Sequence, residues 1–388
     1  MANLLNKLRM LEAEPKRAAS PSCPSARNGG CYHSQALYPL SIFSDIRHAT
    51  PAVLESAFGF SFPKRVVPED ILFLDTETTG LSGGVGTIAF QVGLGYFTPS
   101  GFVVEQLLMH DYPEESELLH TLETRMRRFS ILCTFNGRTF DVPLLKSRFL
   151  MHRIAAAPFP PYHADVLYPA RRLWKLRLQR CTLGHLEEQL LHVQREDDLS
   201  GALVPQTYFQ YLKDGNFEPL LRILEHNKQD IVSLAQLLCF LCRQIDRPDD
   251  IAQEEDLLSL ARMLEKRGDT QKAMKCYRLC ATGSTRPQAY HALALNEKRN
   301  GHAQAAIKLY QAMLRRGDDP VRACEALAKL YEHTLRDPSE ALVYTRQALL
   351  LLAEPGLFRS EAVQAQQIAL QYRYARLRRK LSNAPKAM

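Results

Sequence analysis

Hydrophobic and polar positions divide the chain into three stretches of different character. In the middle stretch the apolar run Ile71-Leu72-Phe73-Leu74 is closed by Asp75-Thr76-Glu77, which predicts a buried strand ending in two carboxylates one residue apart. TIAFQVGLGYF (87–97) and FVVEQLLMH (102–110) read as two further strands joined by short turns, an antiparallel meander. A helix over 115–129, the short apolar strand ILCTF (131–135) and a helix over 142–151 follow, so that β-to-α alternation adds parallel strands. The prediction for residues 66–246 is an α/β domain with a mixed sheet flanked by helices.

Beyond residue 250 the pattern becomes helical and repeats. LARMLEKRGDTQKAMKCY (260–277) aligns with LALNEKRNGHAQAAIKLY (293–310), so Leu260/Leu293, Ala261/Ala294, Gly268/Gly301, Ala273/Ala306 and Tyr277/Tyr310 recur at an offset of 33 residues. A looser third copy runs from Leu327-Ala328 through Ala341 to Tyr344. Small residues let paired helices approach, glycine ends the first helix of each pair, and the aromatic packs between hairpins. The pattern resembles tetratricopeptide repeats, which implies an all-α solenoid over 250–382 used for binding a partner or guiding substrate. Residues 1–65 show neither pattern. A short amphipathic segment, Leu4 to Leu11, leads into a Ser/Pro/Ala/Gly-rich stretch read as a disordered linker over about 14–35, and residues 41–60 are expected to pack on the following domain.

Composition narrows the class. The chain has 388 residues, 46% of them hydrophobic, and no apolar stretch long enough to span a bilayer or serve as a signal-peptide core, which predicts a soluble cytoplasmic protein with no membrane partner. Nine cysteines, most of them inside apolar patterns, fit a reducing compartment, and Cys239-x-x-Cys242 in the helical run 231–245 reads as buried thiols rather than a metal site. The formal net charge is +7, and from Arg247 onward there are 24 Lys/Arg against 16 Asp/Glu, pointing to a polyanionic partner for the C-terminal part. Two segments join aromatic and basic residues. One is Arg171, Arg172, Lys175, Arg177 and Arg180 around Trp174, and the other is Tyr372-Arg373-Tyr374-Ala375-Arg376-Leu377-Arg378-Arg379-Lys380. Each reads either as a phosphate-and-base contact or as an ordinary charged surface helix. Ser82-Gly83-Gly84-Val85-Gly86-Thr87 lacks the GxxxxGK[ST] pattern and reads as a loop rather than a nucleotide cradle.

The chemistry gathers on acids in three separate segments. FLDTETTGL, with Asp75, Glu77, Thr78 and Gly80, resembles the first motif of the DEDD superfamily of ribonuclease H-like 3′–5′ exonucleases. FNGRTFDVPLLKSR (135–148), with Asn136, Asp141 and Arg148, is similar to the second motif, and HNKQD (226–230) to the third. With the repeats that follow, the arrangement looks most like the bacterial YprB family over roughly 66–350.

The resemblance implies two hard cations, Mg²⁺ or Mn²⁺, held by Asp75, Glu77, Asp141 and Asp230, with hydrolysis of a nucleic-acid phosphodiester at a single-stranded or 3′ end. It also implies His226 as the group that orients or deprotonates the attacking water, and Thr78, Gly80, Asn136 and Arg148 as substrate contacts. The histidine departs from the family pattern: it stands four residues before Asp230, at the spacing that normally carries tyrosine. From the residues alone, Asn136 also reads as a turn cap and Asp165 as a helix cap or support for the site. A non-catalytic scaffold that keeps the fold, and a structure-specific endonuclease with the same metals, are the competing readings.

Overall fold

The computed structural model describes residues 30–80, 86–154, 159–195, 199–353 and 361–383. The amphipathic segment at Leu4–Leu11, residues 14–29 of the expected linker and the loop at 81–85 lie outside the described residues. The chain forms two compact units, Met1–Pro169 with Cys181–Arg243, and Ala170–Arg180 with Gln244–Met388.

The first unit is built on a six-stranded sheet of β1 (Tyr32–Tyr38), β2 (Ile71–Thr78), β3 (Ala89–Thr98), β4 (Gly101–Leu108), β5 (Ile131–Thr134) and β6 (Tyr162–Asp165), in the order β1-β4-β3-β2-β5-β6. Pairing is antiparallel from β1 through β4 and β3 to β2, and parallel from β2 through β5 to β6. The helices in chain order are α1 (Pro51–Phe58), α2 (Glu115–Met126), α3 (Asp141–Met151), α4 (Leu167–Leu178), which from Ala170 on belongs to the second unit, α5 (Leu183–Leu186), α6 (Val204–Asp214) and α7 (Glu218–Asp246), which belongs to the first as far as Arg243. Four successive apolar residues open β2, Ile71 to Leu74, and all are fully buried, as a central strand covered on both faces requires. The mixed sheet flanked by helices is the architecture the alternating pattern predicts.

Two strands escaped the pattern, β1 and the four-residue β6. Residues 32–35, read from sequence as the end of a disordered linker, belong to β1, which pairs along its whole length with β4. Residues 32–38 of the N-terminal extension are therefore part of the sheet. Its residues alternate between exposed and half-buried, and His33 Nε2 meets Glu105 Oε1 of β4 at 2.7 Å. An edge strand covered on one face needs few apolar residues, so YHSQALY carries only a weak hydrophobic signal. Cys239 and Cys242 are buried within α7, with Cys239 Sγ donating to the Phe43 carbonyl, as the thiol reading anticipated.

In the second unit α8 (Glu254–Arg267), α9 (Thr270–Leu279), α10 (Arg286–Arg299), α11 (Ala303–Arg316), α12 (Pro320–His333) and α13 (Pro338–Ala353) pack as successive hairpins, followed by α14 (Glu361–Ser382). Gly268 and Gly301 turn the chain at φ +87° and +82°, left-handed conformations that a glycine adopts without penalty. The recurrent alanines 261, 273, 294 and 306 are fully buried, and Tyr277 and Tyr310 are nearly so. In the third hairpin Tyr344 stacks on Tyr331 with ring centroids 5.5 Å apart. Among the described residues no helix is long and apolar enough to cross a membrane.

Both aromatic-basic segments have internal partners. Trp174 is fully buried, which leaves no ring face for a stacked base, and Arg177 grips Asp256 with a shortest contact of 2.7 Å. On α14, Arg373, Arg376 and Lys380 all converge on the Glu332 carboxylate of α12 at 2.5, 2.7 and 3.1 Å. Glu332 is buried, so this carboxylate is the counter-charge that seats the last helix. Glu332→Ala should lower stability by about 2 kcal/mol, less than a fully buried pair would cost because Lys380 remains half exposed. Hydrogen exchange should localise the loss to residues 361–382, and unchanged protection there would show that the cluster does not hold the helix.

Candidate metal and catalytic site

Asp75 and Glu77 lie two positions apart on β2, so the strand projects both to the same face of the sheet. The other contributors come from α3, at whose first turn Asp141 stands, and from α7, which carries His226 and Asp230 one turn apart. Thr76, between the two strand acids, donates to Asp141 Oδ1 at 2.6 Å and so ties the start of α3 to the strand. Asp165 ends β6 two residues before α4, and its buried carboxylate accepts the backbone N–H of Leu167 at the start of that helix (3.2 Å) together with those of Asn136 (2.8 Å) and Arg138 (2.9 Å), both the cap and the support read from sequence. Those bonds shape the turn that leads into Asp141. Within it Asn136 adopts φ +67°, and its Oδ1 accepts from Thr139 Oγ1 at 2.9 Å.

Ligand atoms of Glu77, His226 and Asp230 all lie within 4.8 Å of one another. His226 Nε2 stands 3.9 Å from Glu77 Oε1 and 3.6 Å from Asp230 Oδ2. The two carboxylates offer oxygen donors that suit a hard divalent cation, with the imidazole beside them. Asp75 is held beside them by Asn227, whose Nδ2 donates to Asp75 Oδ2 at 2.9 Å. Asn227 is fully buried, and Gln106 Nε2 of β4 fixes its Oδ1 at 3.0 Å. Space for this bridge exists because residue 93, opposite Asp75 in the β2/β3 register, is glycine: a Cβ there would lie 2.2 Å from Asn227 Oδ1.

Burial dominates the electrostatics, and the repulsion of neighbouring acids adds to it at Asp75. Asp75 is raised well above the ordinary carboxylate range, first by burial and then by the charges of Asp230, Asp141 and Glu77. Burial lifts Asp141 to about 6 against the opposing hydrogen bond from Thr76, and it also raises Asp230. Part of the compensation comes from Arg195, a residue with no signal in the sequence reading. Its guanidinium binds Glu187 in fork geometry at 2.5 and 2.7 Å and also bonds to Asp230, and these carboxylates hold its own ionisation well above the ordinary range. Arg195 Nη1 is 3.2 Å from His226 Nδ1. A guanidinium only donates, so Nδ1 accepts and the neutral imidazole carries its proton on Nε2, toward Glu77 and Asp230.

The remaining predicted residues separate. Thr78 Oγ1 donates to the Gly80 carbonyl at 2.8 Å and steadies the chain just beyond the carboxylates. Arg148, expected at the substrate, is instead buried against α2, where its Nε and Nη2 both bond to Glu115 at 2.5 Å and its Nη1 reaches Met151 Sδ at 3.3 Å. A buried carboxylate at the start of α2 needs a cation, and Arg148 supplies it.

Residues 72–242 match the model of the RNase_H superfamily. The chain is also similar to the uncharacterized protein YprB of Bacillus subtilis (strain 168), with 28% identity over 366 residues that cover 91% of this chain and 87% of that protein.

The raised carboxyls predict a pH signature in metal-free protein. Between about pH 4, where an unfolded aspartate ionises, and about 6 for Asp141, the folded state retains a proton that the unfolded chain releases. Raising the pH through this window therefore costs stability. Asp141→Asn keeps the acceptor for Thr76 and removes the penalty. In chelator it should exceed the native protein by up to about 3 kcal/mol above pH 7, with the difference fading toward pH 4. Denaturant melts at a series of pH values measure this, and a pH-independent difference would assign the effect elsewhere.

Proposed function

We propose that this chain, similar to YprB over 91% of its length and matching the RNase_H superfamily at residues 72–242, is a metal-dependent nuclease acting on the 3′ end of a nucleic acid. The observation that carries this reading is the convergence of Glu77, His226 and Asp230 within 4.8 Å beside an Asp75 whose ionisation is suppressed by its neighbours' charges. Burying like charges together destabilises a fold unless a cation compensates them, and a protein that used this domain only as a scaffold would gain from losing them.

Asp75, Glu77, Asp141 and Asp230 would hold two Mg²⁺ or Mn²⁺ ions. When bound, such ions supply a hydroxide-like nucleophile at neutral pH and neutralise the charge that develops on the phosphate and the leaving oxygen. The protein's own groups position and move protons. With Nδ1 accepting from Arg195, His226 presents an Nε2–H donor and orients the attacking water, while Glu77 takes the water's proton. For His226 to act as the base instead, Arg195 must first release Nδ1, since Nε2 accepts a proton only from the opposite tautomer. The helical repeats would recruit a partner or guide the strand.

Asp75→Ala should lower hydrolysis of end-labelled single-stranded DNA or RNA by at least about 10³-fold, the order expected when a group that would hold the ions is lost. Chelator should abolish the native activity. Mononucleotide products establish exonucleolytic release and oligomers from circular strands establish internal cleavage. Identical behaviour of the native and Asp75→Ala proteins on every substrate would leave only the scaffold reading.

A further inference from the structure

Gln91 on β3 is fully buried, and neither its Nε2 nor its Oε1 has a hydrogen-bond partner among the described residues. A carboxamide shut away from water in this state destabilises a fold, so its presence calls for a partner. Its place in the sheet says where that partner lies. Gln91 stands directly opposite Glu77 of β2 and Leu108 of β4, and residues directly opposite on antiparallel strands share a face. Gln91 is therefore on the face that carries the site.

The nearby carboxamides on that face are already committed. Gln106 Nε2 donates to the Leu224 carbonyl at 2.8 Å and to Asn227 Oδ1 at 3.0 Å, while Asn227 Nδ2 donates to Asp75. Helix α7 keeps step with β3 along this column: a Cβ at Gly95 would meet Ile231, and one at Gly93 would meet Asn227. Two more strand residues and one more helical turn lead to Gln91 and Ile223, a fully buried apolar side chain. Of Glu77, Leu108 and Ile223, Glu77 alone has a side chain that can hydrogen-bond. Directly opposite Cβ atoms stand about 5 Å apart, a gap that a glutamine and a glutamate together span. The β2/β3 register shifts immediately after Glu77, so regular pairing does not continue past the residue that needs holding.

We propose that Gln91 is the positioning residue for Glu77, its Nε2 donating to the Glu77 carboxylate when a divalent cation is bound. The assignment rests on the reading of Glu77 as a metal ligand. Carboxylates that hold a metal are themselves oriented by hydrogen bonds, and losing such a partner costs about 10–100-fold in metal affinity. In the metal-free protein Glu77 Oε1 is 3.9 Å from His226 Nε2, and Gln91 stays unpaired. One side chain thus acts with opposite signs in two states: it weakens the metal-free fold and strengthens the hold on the ion.

The test uses the full chain and two variants, Gln91→Met and Gln91→Leu, which replace the carboxamide by apolar groups of similar volume. Thermal melts in chelator report the metal-free fold, and the paramagnetic resonance signal of free Mn²⁺ reports binding without cleavage. The variants should melt at or above the native protein in chelator, because an unpaired buried carboxamide is gone. They should nevertheless bind Mn²⁺ about 10–100-fold more weakly. A lower melt in chelator for both variants assigns Gln91 to the fold and overturns the proposal. Native Mn²⁺ affinity in both variants also overturns it and leaves the metal-binding reading standing. A native protein that binds no Mn²⁺ overturns both.

Discussion

The structure depends on one electrostatic constraint: burial makes Asp75, Asp141 and Asp230 each resist ionisation, and Asp75 resists it further because the charges of Asp230, Asp141 and Glu77 face it. In a folded chain such a group is stable only if protons or cations hold it together, and the surrounding architecture supplies partial answers. Asn227 gives Asp75 a donor, Thr76 gives Asp141 one, and Arg195 gives Asp230 a positive charge. None of these removes the excess, and that is the physical basis of the proposal that a cation binds there.

The scaffold makes that concentration of charge possible by separating the sources of the acids. A strand buried on both faces fixes Asp75 and Glu77, and the long helix α7 brings His226 and Asp230 with the rigidity of its own backbone bonds. Asn227 ties the two elements together, and it fits only because Gly93 leaves room for it. Asp141 is aimed differently, through a turn whose backbone donors are collected by Asp165. The site is thus positioned by hydrogen bonds to buried polar groups in two places, each sensitive to losing its partner.

Charge in the helical repeats follows another logic. The excess of basic residues there looks from sequence like a nucleic-acid grip, yet Arg373, Arg376 and Lys380 close on Glu332, and Arg177 closes on Asp256. Much of the positive charge near the end of the chain therefore holds helices to one another. The polyanion reading of the net charge is left resting on the other basic residues.

What the sequence determined by itself was whatever is written in local periodicity. The Ile71–Leu74 run ending in two acids, the strands and helices read between residues 71 and 151, the one-turn spacing of His226 and Asp230, and the 33-residue repeat with its glycines all follow from the side-chain period of a strand or a helix. What only the tertiary structure decided was which partner each polar residue meets. Arg148 meets Glu115, 33 positions away; Asn227 meets Asp75, 152 positions away; and Arg195 joins Glu187 to Asp230 across a turn with no regular period. The edge strand β1 belongs to the same class, because its pairing partner lies about 70 residues downstream and its own side chains need little burial. Hydrophobic pattern records the solvent exposure of a backbone position, whereas a hydrogen bond or ion pair is a property of two positions that only the folded chain brings together.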